Sequence, residues 1–162
     1  MKKHTISVWV ENKFGVLARI AGLFSGRGYN IESLCVAPTL DPSVSQMTIT
    51  TVGDDRVLEQ VTKQLNKLID VIKVVDVSEK DCIDREMMLV RVAADRDRRD
   101  EVLRIAEIFR ARVVDVGAKV ITLELTGTED KIDAVLRLLK PIGIRDLARS
   151  GRLAMVRAEP RS

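Results

Sequence analysis

Asn12 and Gly15 stand three residues apart in the run ENKFGVL at 11–17, and their types and spacing could do chemistry. A carboxamide both donates and accepts hydrogen bonds, and a glycine lets a ligand approach the backbone closely. Ahead of a helix, free amide N–H groups and the positive helix end suit a carboxylate. The combination fits recognition of a free α-amino acid. On residue types alone, Asn12 as a helix cap and Gly15 as a backbone convenience account for the run equally well.

Little else in the chain could do chemistry near neutral pH. The 162 residues hold one His, two Cys, one Trp and one Tyr, so a His-Cys zinc site or a His-dependent triad has almost nothing to draw on. His4 stands beside two lysines near the chain start and reads as a solvated residue. Cys35 reads as a small buried hydrophobe and Cys82 as a linker thiol. The two are far apart with no Cys-x-x-Cys spacing, which points to reduced thiols in the cytoplasm. Gly22, Gly26 and Gly28 fall in or after the first helical pattern, so they cannot cradle a pyrophosphate as GxGxxG does. The sequence also lacks GxxxxGK[ST], HExxH and GxSxG. No catalytic residue and no metal ligand is expected.

The net charge of +3 divides evenly. Residues 1–80 hold 10 basic and 9 acidic side chains, and residues 81–162 hold 17 and 15. Interleaved runs such as DRDRRDE at 95–101 form no one-signed patch that could displace many counterions, so nucleic acid is not an expected partner. No window approaches a bilayer-spanning length, so no membrane span is expected.

The elements that would position Asn12 and Gly15 follow from hydrophobic period. ISVWV at 6–10 reads as a strand; Val16, Leu17, Ile20, Ala21, Leu23 and Phe24 follow helical spacing, stopped at Gly26 and Gly28. NIESLCVA at 30–37 and QMTITTV at 46–52 read as strands joined through Pro38, Asp41, Pro42 and Ser43. Asp54 or Asp55 caps a second helix with Val57, Leu58, Val61, Leu65 and Leu68 in one stripe, before VIKVVDV at 71–77 returns to strand. The order is β-α-β-β-α-β. After a polar linker at 79–84 it repeats over 85–162, beginning with MMLVRVAA at 87–94. A helix over about 97–110 follows, then a hairpin about Gly117, and a helix carrying Ile132, Val135, Leu136 and Leu139. One or two short strands close the repeat. The fold class expected is α+β, two tandem ferredoxin-like units with antiparallel sheets and helices on one face. Two such small units are individually marginal and leave strand edges open, which favours a homodimer.

VENKFGVLARIAGLFSGRGYNIESLCVAPT at 10–39 closely resembles the opening of the small, regulatory subunit of acetohydroxyacid synthase, also called acetolactate synthase. MTITTVGDD at 47–55, REMMLVRV at 85–92, EIFRARVVDV at 107–116, LTGTEDKIDA at 125–134 and ARSGRLAMVR at 148–157 extend the resemblance over essentially the whole chain. The resemblance implies an ACT amino-acid-sensing domain over 1–78 and a ferredoxin-like regulatory domain over 85–162. It implies an effector, valine or a related branched-chain amino acid, bound where two ACT domains meet in a homodimer. The matching positions are Asn12, Gly15, Val16 and Leu17 of one chain with Asn30, Ile31 and Ala37 of its partner. Ala18 stands where some members carry Ser. A separate large subunit would hold thiamine diphosphate, Mg²⁺ and FAD and perform the synthesis. This chain would activate it and make it sensitive to the end product. A stand-alone ACT sensor with another partner is the alternative.

Overall fold

A computed structural model describes residues 1–160 of the chain. Its contacts divide it into two compact units, one formed by Met1–Ile83 with the segment from Arg152 onward, the other by Asp84–Gly151.

In the first unit the elements run β1 (Lys2–Glu11), α1 (Val16–Gly26), β2 (Ile31–Pro38), β3 (Val44–Gly53), α2 (Asp55–Asn66) and β4 (Val71–Asp76). The sheet has the order β2-β3-β1-β4 with antiparallel neighbours. Alternation on β1 sends Ile6, Val8 and Val10 to one face, where Met47 and Ile49 of β3 join them. Onto that face α1 lays Val16, Ile20 and Phe24, and α2 lays Leu58, Val61 and Leu65, all buried. These spacings of three and four residues are what a helix needs to bury a single stripe. Asp54 starts α2 by accepting the Val57 N–H at 2.8 Å. Beyond α1, Gly28 adopts a left-handed φ of 73° and lets Tyr29 N–H return to the Phe24 carbonyl.

β1 begins four residues earlier than the hydrophobic run suggested, because Lys2 through Thr5 continue the ladder to β3, from Lys2 opposite Gly53 to Thr5 opposite Thr50. His4 is therefore not solvated. It is 1% exposed, with Nε2 3.1 Å from the Gly53 carbonyl. On the opposite face of the same strand, Trp9 is half-buried with the Lys73 ammonium 5.1 Å from its ring centre.

In the second unit the elements are β5 (Cys82–Ala93), α3 (Arg99–Phe109), β6 (Arg112–Val116), β7 (Val120–Gly127), α4 (Glu129–Leu139) and β8 (Ile144–Arg149), with strand order β6-β7-β5-β8. β5 begins at Cys82 rather than at Met87. Met88, Val90 and Val92 alternate into a core closed by Val102, Ile105, Ala106, Ile132, Val135 and Leu139 of the two helices. Both units are ferredoxin-like βαββαβ folds with helices on one face of an antiparallel sheet. A short strand β9 (Leu153–Val156) lies in the segment from Arg152 onward that belongs with the first unit. In the segment around it, Arg152 donates from Nη1 to Thr5 Oγ1 at 2.9 Å, and Arg157 N–H donates to the Asp81 carbonyl at 2.9 Å. No helix among the described residues is long and apolar enough to cross a membrane.

Candidate functional site

The turn from β1 into α1 is fixed by its two neighbouring loops. Glu11 N–H donates to the Asp70 carbonyl at 2.8 Å, and Asn12 N–H to the Ser43 carbonyl at 2.7 Å. The Asn12 side chain adds a third bond, donating from Nδ2 to the Pro42 carbonyl at 2.9 Å. Its Oδ1 is left to accept. Asn12 thus does not cap α1; it ties the turn to the β2–β3 loop.

Gly15 occupies the position before the helix at φ 83°, ψ −7°, a left-handed conformation that a side chain strains. Space is not the reason for glycine, since a Cβ there would meet only Arg19 Nη1, at 3.8 Å. Behind it, α1 starts with no side-chain cap and no acidic residue in its first turn. The other three helices each have one or both: Asp54 before α2, Asp100 and Glu101 within α3, and Thr128, Glu129 and Asp130 at α4. The positive end of α1 is therefore the one left for an external anion.

Charge beside it is internally paired. Arg19, one turn into α1, bonds Asp70, and Lys13 Nζ lies 2.7 Å from Glu11. The Glu11 carboxylate, chiefly through this hydrogen bond, holds the Lys13 ammonium pKa above its ordinary value.

The residues singled out in the sequence fall into two groups. Asn12, Gly15, Val16 and Leu17 lie together at one end of the sheet. Val16 is 3% exposed and points into the core, so only its backbone faces the turn; Leu17, 41% exposed, points outward. Ala37 is exposed on β2 opposite Gln46, toward the same end. Asn30 and Ile31 are at the other end, Ile31 opposite Thr51, whose hydroxyl donates to the Asn30 carbonyl at 2.7 Å. Six residues of strand, about 20 Å, separate Ile31 from Ala37. One copy of the chain brings the first group together and leaves Asn30 and Ile31 remote from it.

The sequence reading missed Arg19, Asp70 and the pairing of Asn12 with Pro42. The Asp41–Ser43 stretch was legible as a turn, but not as the anchor of a loop thirty residues away.

A cavity of about 600 Å³ opens elsewhere, against α2 and the ends of β1 and β4. Its lining is largely charged, and its lysines are taken by neighbouring acids, Lys2 by Glu79 and Lys63 by Glu59. Among the described residues no group of three or more His, Cys, Asp or Glu could hold a metal ion.

Two family models match the chain. One, for the "AHAS small subunit-like ACT domain", covers residues 6–73, and one for the "small subunit of acetolactate synthase" covers residues 85–158. An acetolactate synthase small subunit of Aquifex aeolicus is 53% identical over 158 residues, spanning 97% of this chain and 82% of that protein. A probable acetolactate synthase small subunit of Archaeoglobus fulgidus is 54% identical over 155 residues, spanning 96% and 97%. The crystal structure of the acetolactate synthase small subunit from Thermotoga maritima superposes with a TM-score of 0.90 at 36% identity, covering 99% of this chain and 100% of that one.

Proposed function

Because the chain belongs to the acetolactate synthase small-subunit family, we propose that it activates a catalytic large subunit and subjects it to feedback inhibition by valine or a related branched-chain amino acid. The observation that carries this reading is the uncapped start of α1 behind the left-handed Gly15, with Asn12 held beside it.

Each part of an α-amino acid has a matching group here. The N–H groups of the first turn of α1, at Leu17 and Ala18, meet the carboxylate. Asn12 Oδ1 accepts from the ammonium, and Leu17 receives the branched side chain. Burying an isopropyl group contributes about 1.5 to 3 kcal/mol, a factor of ten to a hundred or so in affinity.

The site is completed by a second copy. β2 is an edge strand, and two such edges joined antiparallel about a two-fold axis set the Ile31 end of one copy against the Ala37 end of the other. Asn30 and Ile31, remote within one chain, then approach the partner's Asn12 turn, and Ala37 sits between them. Residues 1–78 are the ACT sensor in this reading, and residues 85–162 are the regulatory domain that tunes the response. Both work in the cytoplasm.

The large subunit holds thiamine diphosphate, Mg²⁺ and FAD and makes the acetohydroxy acid. This chain contributes linkage alone. Valine shifts the equilibrium only as far as it binds one arrangement of the assembly better than the other. The test is a calorimetric titration of the purified chain with valine, leucine and isoleucine, alongside assays of the large subunit with and without it. Saturable binding, activation and effector-dependent inhibition are the expected results. Valine binding without any effect on the large subunit would instead identify a stand-alone sensor.

A further inference from the structure

The chain leaves the first unit after Ile83 and returns to it at Arg152, and both runs are fastened to one residue of β1, Thr5. On the outward run, the Val77 N–H donates to the Thr5 carbonyl at 3.0 Å, and the Thr5 N–H donates to Ser78 Oγ at 2.9 Å. On the return, Arg152 Nη1 donates to Thr5 Oγ1 at 2.9 Å. The N–H, carbonyl and hydroxyl of Thr5 therefore each hold one of the two runs. The runs are also tied to each other: Arg157 donates its backbone N–H to the Asp81 carbonyl at 2.9 Å and its Nε to the Asp81 carboxylate at 3.1 Å.

Arg152 has a second anchor, because its backbone N–H donates to Ser33 Oγ on β2 at 3.5 Å. Thr5, Thr50 and Ser33 stand opposite one another on β1, β3 and β2, so they form one row on the sheet face away from the helices. Thr5 is 2% exposed, although the free face of such a sheet is ordinarily solvated. Its buried hydroxyl accepts from a guanidinium, and a charge-assisted bond of this kind is stronger than a neutral one.

The row adjoins the residues assigned above to the effector. Ser33 is two residues from Ile31, and the β2–β3 register shifts between them. An irregular ladder in an edge strand can take up a small displacement without breaking the sheet. A ligand seated against Asn30 and Ile31 therefore acts on the part of β2 that carries Ser33. Arg152 is in turn one peptide, about 3.8 Å, from Gly151, the last residue of the second unit. A displacement of β2 thus leaves the sensor by one hydrogen-bonded residue and one covalent link.

We infer that Arg152, clasped to Thr5 and Ser33, couples effector occupancy to the second unit and so to the large subunit; the inference rests on the regulatory-subunit reading. Arg152 is a positioning residue and touches no effector. The test uses the full chain and titrates valine by calorimetry with and without the purified large subunit. Coupling makes the two affinities differ, by about 5- to 150-fold for a typical allosteric pair. Arg152→Met removes the side-chain donors and is expected to bring that ratio to about one, with the valine affinity of the free chain and its activation of the large subunit unchanged. Thr5→Val removes only the acceptor, keeps the backbone bonds to Val77 and Ser78, and is expected to do the same. Where one variant fails to fold, the other decides. A ratio like the unaltered chain's in either folded variant overturns this inference alone. So does a fall in the valine affinity of free Arg152→Met, which makes Arg152 a support of the effector site rather than a link. An unaltered chain whose valine affinity ignores the large subunit overturns the regulatory-subunit reading, and this inference with it.

Discussion

Asn12 reaches 2.9 Å across to the carbonyl of Pro42 and so ties the β1–α1 turn to the β2–β3 loop. The bond uses a donor and spares the acceptor, and the acceptor is what an amino acid's ammonium requires. Asn12→Ala is expected to lower valine affinity about tenfold, the cost of roughly one hydrogen bond near a charged group. Calorimetry decides it: unchanged affinity removes Asn12 from the site.

Gly15→Asp is expected to abolish valine sensitivity. A carboxylate about 4 Å from the ligand's own would cost on the order of 4 kcal/mol at an effective dielectric of roughly 20. Gly15→Ala separates charge from strain. Since the space beside Gly15 is open, the alanine variant should lose only about 1 to 2 kcal/mol of folding stability, from the left-handed backbone. Denaturant unfolding of both variants, with valine titrations, distinguishes the two effects.

The turn itself was legible, because Asn12 and Gly15 mark it by type and spacing, although the same types fitted a helix cap and a backbone convenience equally well. The inward direction of Val16 was legible too, since it shares the stripe of Ile20 and Phe24. Arg19 with Asp70, and Asn12 with Pro42, join residues distant in sequence. No local period encodes such pairs; they follow from the sheet register. The helices and most of their stripes could be read directly, and the cap of α2 to within one residue, Asp54 or Asp55. The burial of His4 could not, because polar residues gave no alternation signal, and it was the ladder to β3 that extended β1 to Lys2.

Acid should loosen the β2–β3 loop. The Ser43 hydroxyl, at 2.6 Å, and then its backbone N–H, at 2.9 Å, donate to Asp41 and hold its carboxyl below the usual range. A depressed carboxylate contributes stability above its unfolded pKa and loses it as pH falls through the folded value. The loop that anchors Asn12 is therefore braced at neutral pH and released in the region below about pH 4. Ser43→Ala should raise the Asp41 pKa toward the ordinary value, measured by carbon-detected NMR titration. An unchanged titration would show that the hydroxyl has no such role.

In the second unit, Glu86 is 6% exposed and accepts from Arg149 Nε at 2.6 Å and Nη2 at 2.9 Å. Arg149→Met strands that carboxylate and should cost about 3 kcal/mol, the low end for breaking a buried pair because Arg149 is one-third exposed. Pairing it with Glu86→Leu should recover most of the loss. A double variant no more stable than Arg149→Met would show that the guanidinium stabilises by packing rather than by neutralising Glu86.

The segment from Arg152 onward belongs with the first unit although the second unit separates it from Ile83 in the chain. The amino-terminal unit is therefore discontinuous, with the second unit inserted into it. On the ribosome, the Met1–Ile83 portion emerges first yet lacks the Arg152 bond to Thr5 until the intervening unit has been made, a delay of several seconds at typical elongation rates. The sheet and helices of the first unit, all within Lys2–Asp76, can form as soon as they emerge, and the Arg152 bond to Thr5 is a late addition to a fold already built.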